Sequence, residues 1–105
     1  MTAARLIVGL SGTQLTREEA SLFRDLEPAG YILFSRNLES PEQIRELTDS
    51  LAELSLDRPF IGIDQEGGRV WRTREFTAEP PDAATFAKKA NPQQIAQFGA
   101  LTGQF

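Results

Sequence analysis

Nine consecutive residues, Asp64-Gln65-Glu66-Gly67-Gly68-Arg69-Val70-Trp71-Arg72, bring together two acids, two glycines and two arginines. Asp64 and Glu66 stand two apart, so an extended backbone points both carboxylates to one side. Two carboxylates about 5 Å apart are what a retaining glycosidase needs, one as nucleophile and one as acid/base. The same residues also suit a quieter role, which strand-end carboxylates often fill: Asp64 caps a turn or accepts from sugar hydroxyls, while Glu66 braces the loop through Arg69 or Arg72. Gly67 and Gly68 permit positive φ or a close backbone approach, so the loop is able to turn back over a pocket. A phosphate cradle fits less well, because the preceding acids repel an anion and no full dinucleotide or P-loop glycine pattern is present. Arg69, Arg72 and Arg74 offer forked donors for hydroxyls or a carboxylate, with Arg74 the best fit to a solvated position. Trp71 either packs under the loop or stacks on a sugar ring. Arg36 either contacts a ligand or pairs with Glu66.

Composition removes most other chemistries. The 105 residues contain no cysteine and no histidine, which excludes disulfides, thiolate and imidazole metal sites, and nucleophiles that depend on either side chain. Catalysis or binding must therefore rest on carboxylates, arginines, hydroxyls or backbone, and no cofactor or metal is expected. A net charge of -4, with Lys88 and Lys89 the only lysines, gives no footprint for a nucleic-acid partner. No stretch approaches the roughly 20 apolar residues of a membrane span. Arg5 before the apolar run Leu6 to Leu10 has the look of a signal peptide, but the run is short and ends at once in Ser11-Gly12. A soluble cytoplasmic protein without a membrane partner is the expectation.

The elements that must position these residues alternate along the chain. Short apolar runs at Leu6 to Leu10, Tyr31 to Phe34 and Phe60 to Ile63 lack an in-out alternation, as strands covered on both faces do. Between the first two, Thr16 and Glu19 form a capping box for a helix burying Leu22, Phe23 and Leu26 and stopped by Pro28. Between the next two, Ser40 caps, Pro41 takes the first helical position, Gln43 completes a box, and Ile44, Leu47, Leu51 and Leu54 make the apolar stripe. A long loop follows Ile63 through Pro80 and Pro81. A last helix begins at Asn91-Pro92, with Ile95, Phe98, Leu101 and Phe105 on one stripe. Strands alternating with helices predict an α/β fold with a parallel sheet. Right-handed crossovers bring the loops after each strand, at Ser11-Gly12, Ser35-Arg36-Asn37 and Asp64 onward, to one face. That is the face where such folds bind ligands.

Two segments carry a resemblance. Tyr31-Ile32-Leu33-Phe34-Ser35-Arg36-Asn37-Leu38-Glu39-Ser40-Pro41-Glu42-Gln43 resembles the second strand and helix start of the family 3 glycoside hydrolases of the β-N-acetylhexosaminidase, peptidoglycan-recycling type. Ile63 to Arg72 resembles that family's third-strand signature, in the same order and at the same separation. The resemblance runs from about Leu6 to Pro81.

It implies a (β/α)8 barrel, of which residues 1–105 form an incomplete N-terminal segment of about three βα units, since such a barrel takes about 250 residues. It implies retaining hydrolysis of a terminal β-linked N-acetylglucosamine from cell-wall fragments through an aspartyl glycosyl-enzyme. The residues matching Asp64 and Arg72 hold hydroxyls of the non-reducing sugar, which makes Asp64 a substrate clamp and Glu66 a structural partner. Gly67, Gly68, Arg69 and Arg36 support them. The family's nucleophilic aspartate, its histidine-aspartate acid/base pair and its lysine-histidine substrate contact fall beyond these residues, so no catalytic residue is assigned. Arg74-Glu75-Phe76-Thr77 also departs from the family in lacking a glycine before Phe-Thr. Three parallel strands alone leave edges and an apolar face open, so association with the rest of the barrel or with another copy is expected. The alternative is a small non-catalytic α/β module for sugar binding or interaction, favoured by a natural stop codon after Phe105.

Overall fold

The computed structural model describes residues 4–102. Strand β1, Ala4–Gly9, leads through a loop to helix α1, Arg17–Leu26. The Thr16 hydroxyl accepts the Glu19 N–H at 3.0 Å, and the Glu19 carboxylate accepts from the Thr16 backbone at 3.2 Å, completing the expected box. The same carboxylate takes the Ser11 N–H and hydroxyl, at 3.0 and 2.9 Å, and so ties the loop to the helix it starts. Helix α1 ends at Glu27, which adopts a left-handed conformation at φ 47° and donates its N–H to Phe23. Pro28 stands immediately after, and the residue before a proline is disfavoured in the right-handed helical region. Pro28 also opens strand β2, Pro28–Leu33, where a proline at the first position loses no ladder bond it needs.

A single 3-10 turn, Ser35–Asn37, leads to helix α2, Pro41–Glu53, capped by the Ser40 hydroxyl on the Gln43 N–H. The expected box at this helix is not closed on its cap. Gln43 Oε1 accepts from the Glu39 N–H at 2.8 Å, one residue further back, while Nε2 donates to the Thr13 and Asn37 carbonyls. Strand β3, Phe60–Ile63, completes a three-stranded parallel sheet of order β1-β2-β3, as the alternation of runs predicts.

The core lies between the sheet and the two helices: Leu10, Tyr31 and Leu33 from the sheet side, Phe23 from α1, and Leu47 and Leu51 from α2. Phe23 meets Tyr31 edge to face at 5.4 Å. Leu22, placed in the buried stripe from spacing alone, is 58% exposed, so α1 rests chiefly on Phe23. Side chains alternate across a strand, so Ile7 and Gly9, Ile32, and Phe60 and Gly62 point to the opposite face of the sheet. Among the described residues no helix covers that face, and Ile7 and Phe60 are 58% and 64% exposed. Cover on both faces, the expectation from the run composition, is therefore not met here. Gly62 makes room on that face for the Phe60 ring, since a Cβ there would lie 2.9 Å from it.

The segment after Ile63 is more ordered than an irregular loop. Strands β4, Gln65–Gly67, and β5, Val70–Trp71, form a small antiparallel hairpin. Helix α3, Ala83–Lys89, lies where an irregular stretch is expected and starts where the Asp82 carboxylate accepts the Thr85 N–H at 2.9 Å. Helix α4, Pro92–Thr102, begins where expected, with Asn91 and Gln94 exchanging side-chain to backbone bonds. Phe98 packs on Phe86 of α3 with centroids 4.8 Å apart, while Ile95 and Leu101 are exposed and Phe105 lies outside the described residues. The radius of gyration, 15.9 Å, exceeds the about 13 Å of a compact domain this size, and the principal extents are 47, 28 and 19 Å.

Glu19 gives this arrangement a pH dependence. Partial burial raises its pKa, but hydrogen bonds from Ser11 and Thr16 outweigh that and hold it below the ordinary 4.5. A depressed carboxylate stabilises the fold above its unfolded pKa and loses that contribution as pH falls through the folded value. Urea unfolding of the Glu19→Gln chain should accordingly show a lower midpoint near neutrality and a flatter decline between about pH 5 and 3 than the parent. An equally steep acid decline in both would mean that another group sets it.

Candidate functional site

Strand β3 ends at Ile63, and the alternation that sends Phe60 and Gly62 to the open face sends Asp64 there too. The chain then turns back through the hairpin, and Arg72 arrives beside Asp64 with Nη2 3.9 Å from Oδ2. That is charge contact without a hydrogen bond, between side chains 46% and 27% exposed. Such a pair adds little to stability, about 0–1 kcal/mol. Its interest is that both groups keep hydrogen-bonding capacity for a ligand, and Arg72 Nε is buried with no partner among the described residues. Asp64 and Arg72, expected to point to one side of the loop, lie next to each other here.

Phe34, at the end of β2, was not singled out from sequence. Its ring lies under two guanidinium groups, Arg36 at 5.0 Å and Arg72 at 5.5 Å, both within cation–π range. Arg36 does not pair with Glu66. Its Nε donates to the Leu10 carbonyl at 2.9 Å, which carries it across to the end of β1. Asn37 is fully buried and does similar work: Oδ1 accepts the Phe34 N–H, and Nδ2 donates to the carbonyls of Leu10 and Gly12.

Glu66 and Arg69 are exposed, and among the described residues neither makes a hydrogen bond or ion pair from its side chain. The brace expected of Glu66 belongs to its neighbour Gln65, whose Oε1 accepts the Arg72 N–H at 2.9 Å and whose Nε2 donates to the Thr73 hydroxyl. No pattern in the sequence separates that glutamine from a solvated one. Trp71 packs within the loop, its indole N–H donating to the Thr77 hydroxyl at 2.9 Å. Arg74 is exposed and lies over the Trp71 ring at 5.8 Å. The chain after Arg72 closes as a turn in which the Phe76 and Thr77 N–H groups donate to the Thr73 carbonyl, so it folds here without the glycine.

The glycine pair behaves as its chemistry suggests. Gly67 and Gly68 have φ of 78° and 58°. Gly67 is buried under the returning Pro80-Pro81 segment, where a Cβ would stand 2.2 Å from the Pro81 carbonyl oxygen. Among the described residues no cluster of three or more histidine, cysteine or acidic side chains forms a metal site, and no helix is long and apolar enough to cross a membrane.

Parallel strands with charged side chains at their C-terminal ends align with NagZ from Neisseria gonorrhoeae. The TM-score is 0.70 for the native enzyme at 33% identity, over 75% of this chain and 23% of that one. For the same enzyme in complex with N-trifluoroacetyl-D-glucosamine it is 0.71. The fold and the family match together define a segment of a (β/α)8-type barrel of the glycosidase class. The chain belongs to glycosyl hydrolase family 3, whose N-terminal domain it matches over residues 4–104. It is 49% identical over 81 residues to the beta-hexosaminidase of Alkalilimnicola ehrlichii and 44% identical over 82 residues to that of Methylobacillus flagellatus. These alignments cover 76% and 77% of the chain but 23% and 24% of the relatives, so it spans about a quarter of their length.

The glycine geometry sets an order of substitution effects. Gly67→Ala meets both a strained φ and a backbone clash, Gly68→Ala the same kind of strain with a 3.1 Å contact to Asp82 Cβ, and Gly12→Ala finds nothing within 4 Å. A left-handed non-glycine residue alone costs about 1–2 kcal/mol. Limited proteolysis between residues 64 and 82 should speed up most in Gly67→Ala, less in Gly68→Ala and hardly in Gly12→Ala. Equal rates for all three would show that the loop does not depend on this approach.

Proposed function

We propose that residues 1–105 are the N-terminal segment of a retaining β-N-acetylhexosaminidase, and that they hold the non-reducing N-acetylglucosamine of cell-wall fragments in a cytoplasmic recycling enzyme. The observation that carries this reading is the Asp64–Arg72 pair, held at 3.9 Å, part-exposed, and without a side-chain hydrogen bond among the described residues. A carboxylate accepts from sugar hydroxyls and a guanidinium donates to them, so one sugar satisfies both. The family membership, the relatives named beta-hexosaminidase, and a structural neighbour crystallised with a glucosamine derivative support it. The Phe34 ring lies against both Arg72 and Arg36, and the positive φ of Gly67 and Gly68 lets the chain turn back between Asp64 and Arg72. The open sheet face and strand edges are the surface that the rest of the barrel, or a second copy, covers. Cleavage needs a nucleophile and a proton donor, and in this reading neither is among Asp64, Glu66 or the arginines.

Two expected outcomes follow from the assignment. The isolated chain gives no turnover of a chromogenic β-N-acetylglucosaminide, and turnover abolished by Asp64→Asn or Glu66→Gln would mean that the carboxylates are catalytic after all. In the complete barrel enzyme carrying this segment, Asp64→Ala or Arg72→Ala removes a charged hydrogen bond of about 1.5–3 kcal/mol and lowers kcat/KM roughly ten- to several-hundred-fold. Arg74→Ala, which takes away an exposed side chain resting on Trp71, changes kcat/KM less than about threefold. A silent Asp64→Ala, or Arg74→Ala as damaging as Arg72→Ala, would sink the assignment.

A further inference from the structure

Asp64 and Arg72 meet because the chain doubles back between them, yet the hairpin ladder does not by itself place Arg72. The ladder is irregular between Gln65 and Gly67, and β5 ends at Trp71, one residue short of Arg72. What reaches past the end of the ladder is the side chain of Gln65. Its Oε1 accepts the Arg72 N–H at 2.9 Å, and its Nε2 donates to the Thr73 hydroxyl. That hydroxyl lies 2.8 Å from the hydroxyl of Thr77, which also receives the Trp71 indole N–H and donates to the Thr73 carbonyl at 3.1 Å. One amide therefore ties the residue directly after Asp64 to two successive residues, Arg72 through its N–H and Thr73 through its hydroxyl.

We propose that Gln65 is the positioning residue of the sugar clamp. It fixes the Arg72 backbone so that the guanidinium stands beside the Asp64 carboxylate, near enough for one sugar to engage both and too far for the two to hydrogen-bond each other. The inference rests on the proposed role of Asp64 and Arg72 in substrate binding and adds what holds them ready. An amide suits the position because it accepts from a backbone N–H and donates to a hydroxyl at once. The partly buried setting makes the loss of either bond costly, since a donor or acceptor left there is poorly solvated.

A residue that acts only through Arg72 loses its effect when Arg72 is gone, whereas a merely structural one does not. The test compares kcat/KM for Gln65→Leu, Arg72→Ala and the double variant of the complete enzyme on a chromogenic β-N-acetylglucosaminide. The expected result is a loss of about tenfold or more for Gln65→Leu alone and of less than about threefold when it is added to Arg72→Ala. Losses that multiply, or a Gln65→Leu enzyme with unchanged kcat/KM, would overturn the proposal while leaving the clamp intact. A silent Arg72→Ala would overturn both. Should Gln65→Leu fail to fold, Thr73→Val removes the hydroxyl that anchors the amide while keeping its shape. It should give a smaller loss that likewise vanishes in the Arg72→Ala background, and a loss that persists there counts against the proposal.

Discussion

The ends of β1 and β2 are held together by one buried side chain. Asn37, with no exposed surface, accepts the Phe34 N–H and donates to the carbonyls of Leu10 and Gly12. A buried amide leaves its partners unsatisfied if removed, at about 1–3 kcal/mol for each orphaned group. Here the partners belong to the two loops on which the rest of the site is built. Gln43 extends the tie to Thr13 and back to the Asn37 carbonyl, and Arg36 reaches the same Leu10 carbonyl from outside. The Phe34 ring that supports Arg36 and Arg72 is thus fixed by a network whose centre touches no candidate ligand group.

Periodicity and caps made much of the fold legible. Thr16 with Glu19, Ser40 with Pro41, and the three apolar runs located α1, α2 and the parallel sheet within a few residues of their observed limits, because each rests on local chemistry. What escaped depended on partners distant in sequence. Leu22 lies on the apolar side of α1 by spacing, yet only Phe23 meets Tyr31, and nothing in the helix alone distinguishes the two. Gln43 suited a box on Ser40 but found Glu39, Thr13 and Asn37, bonds available only once the loops had come together. Helix α3 follows two prolines, which hid the Asp82 cap.

The site was legible in part for the same reason. Asp64, Arg72 and the glycine pair announce themselves by residue type and spacing, and family resemblance assigns the first two a role. Glu66 looked the natural brace because it is charged and close to arginines, yet a neutral amide next to it makes the bonds. Charge is visible in a sequence, whereas a glutamine turned inward looks like any other. Phe34 read as the last residue of an apolar run, and its second function as a platform for two cations appears only when β2 and the hairpin lie side by side.

The sheet joins only strands that follow each other in sequence, β1 with β2 and β2 with β3, so each pairing closes a short stretch of chain. Loops of that length cost little entropy to close, so this unit is able to assemble before anything lies against its bare side. Once it has, Ile7, Ile32 and Phe60 already share one apolar face of the sheet. Any strand that later joins the free edge of β1 or β3 has its choice of partners narrowed, since a slip of one residue would turn its apolar side chains to the wrong face. The open sheet is thus a template able to set the alignment of any strand that pairs with it.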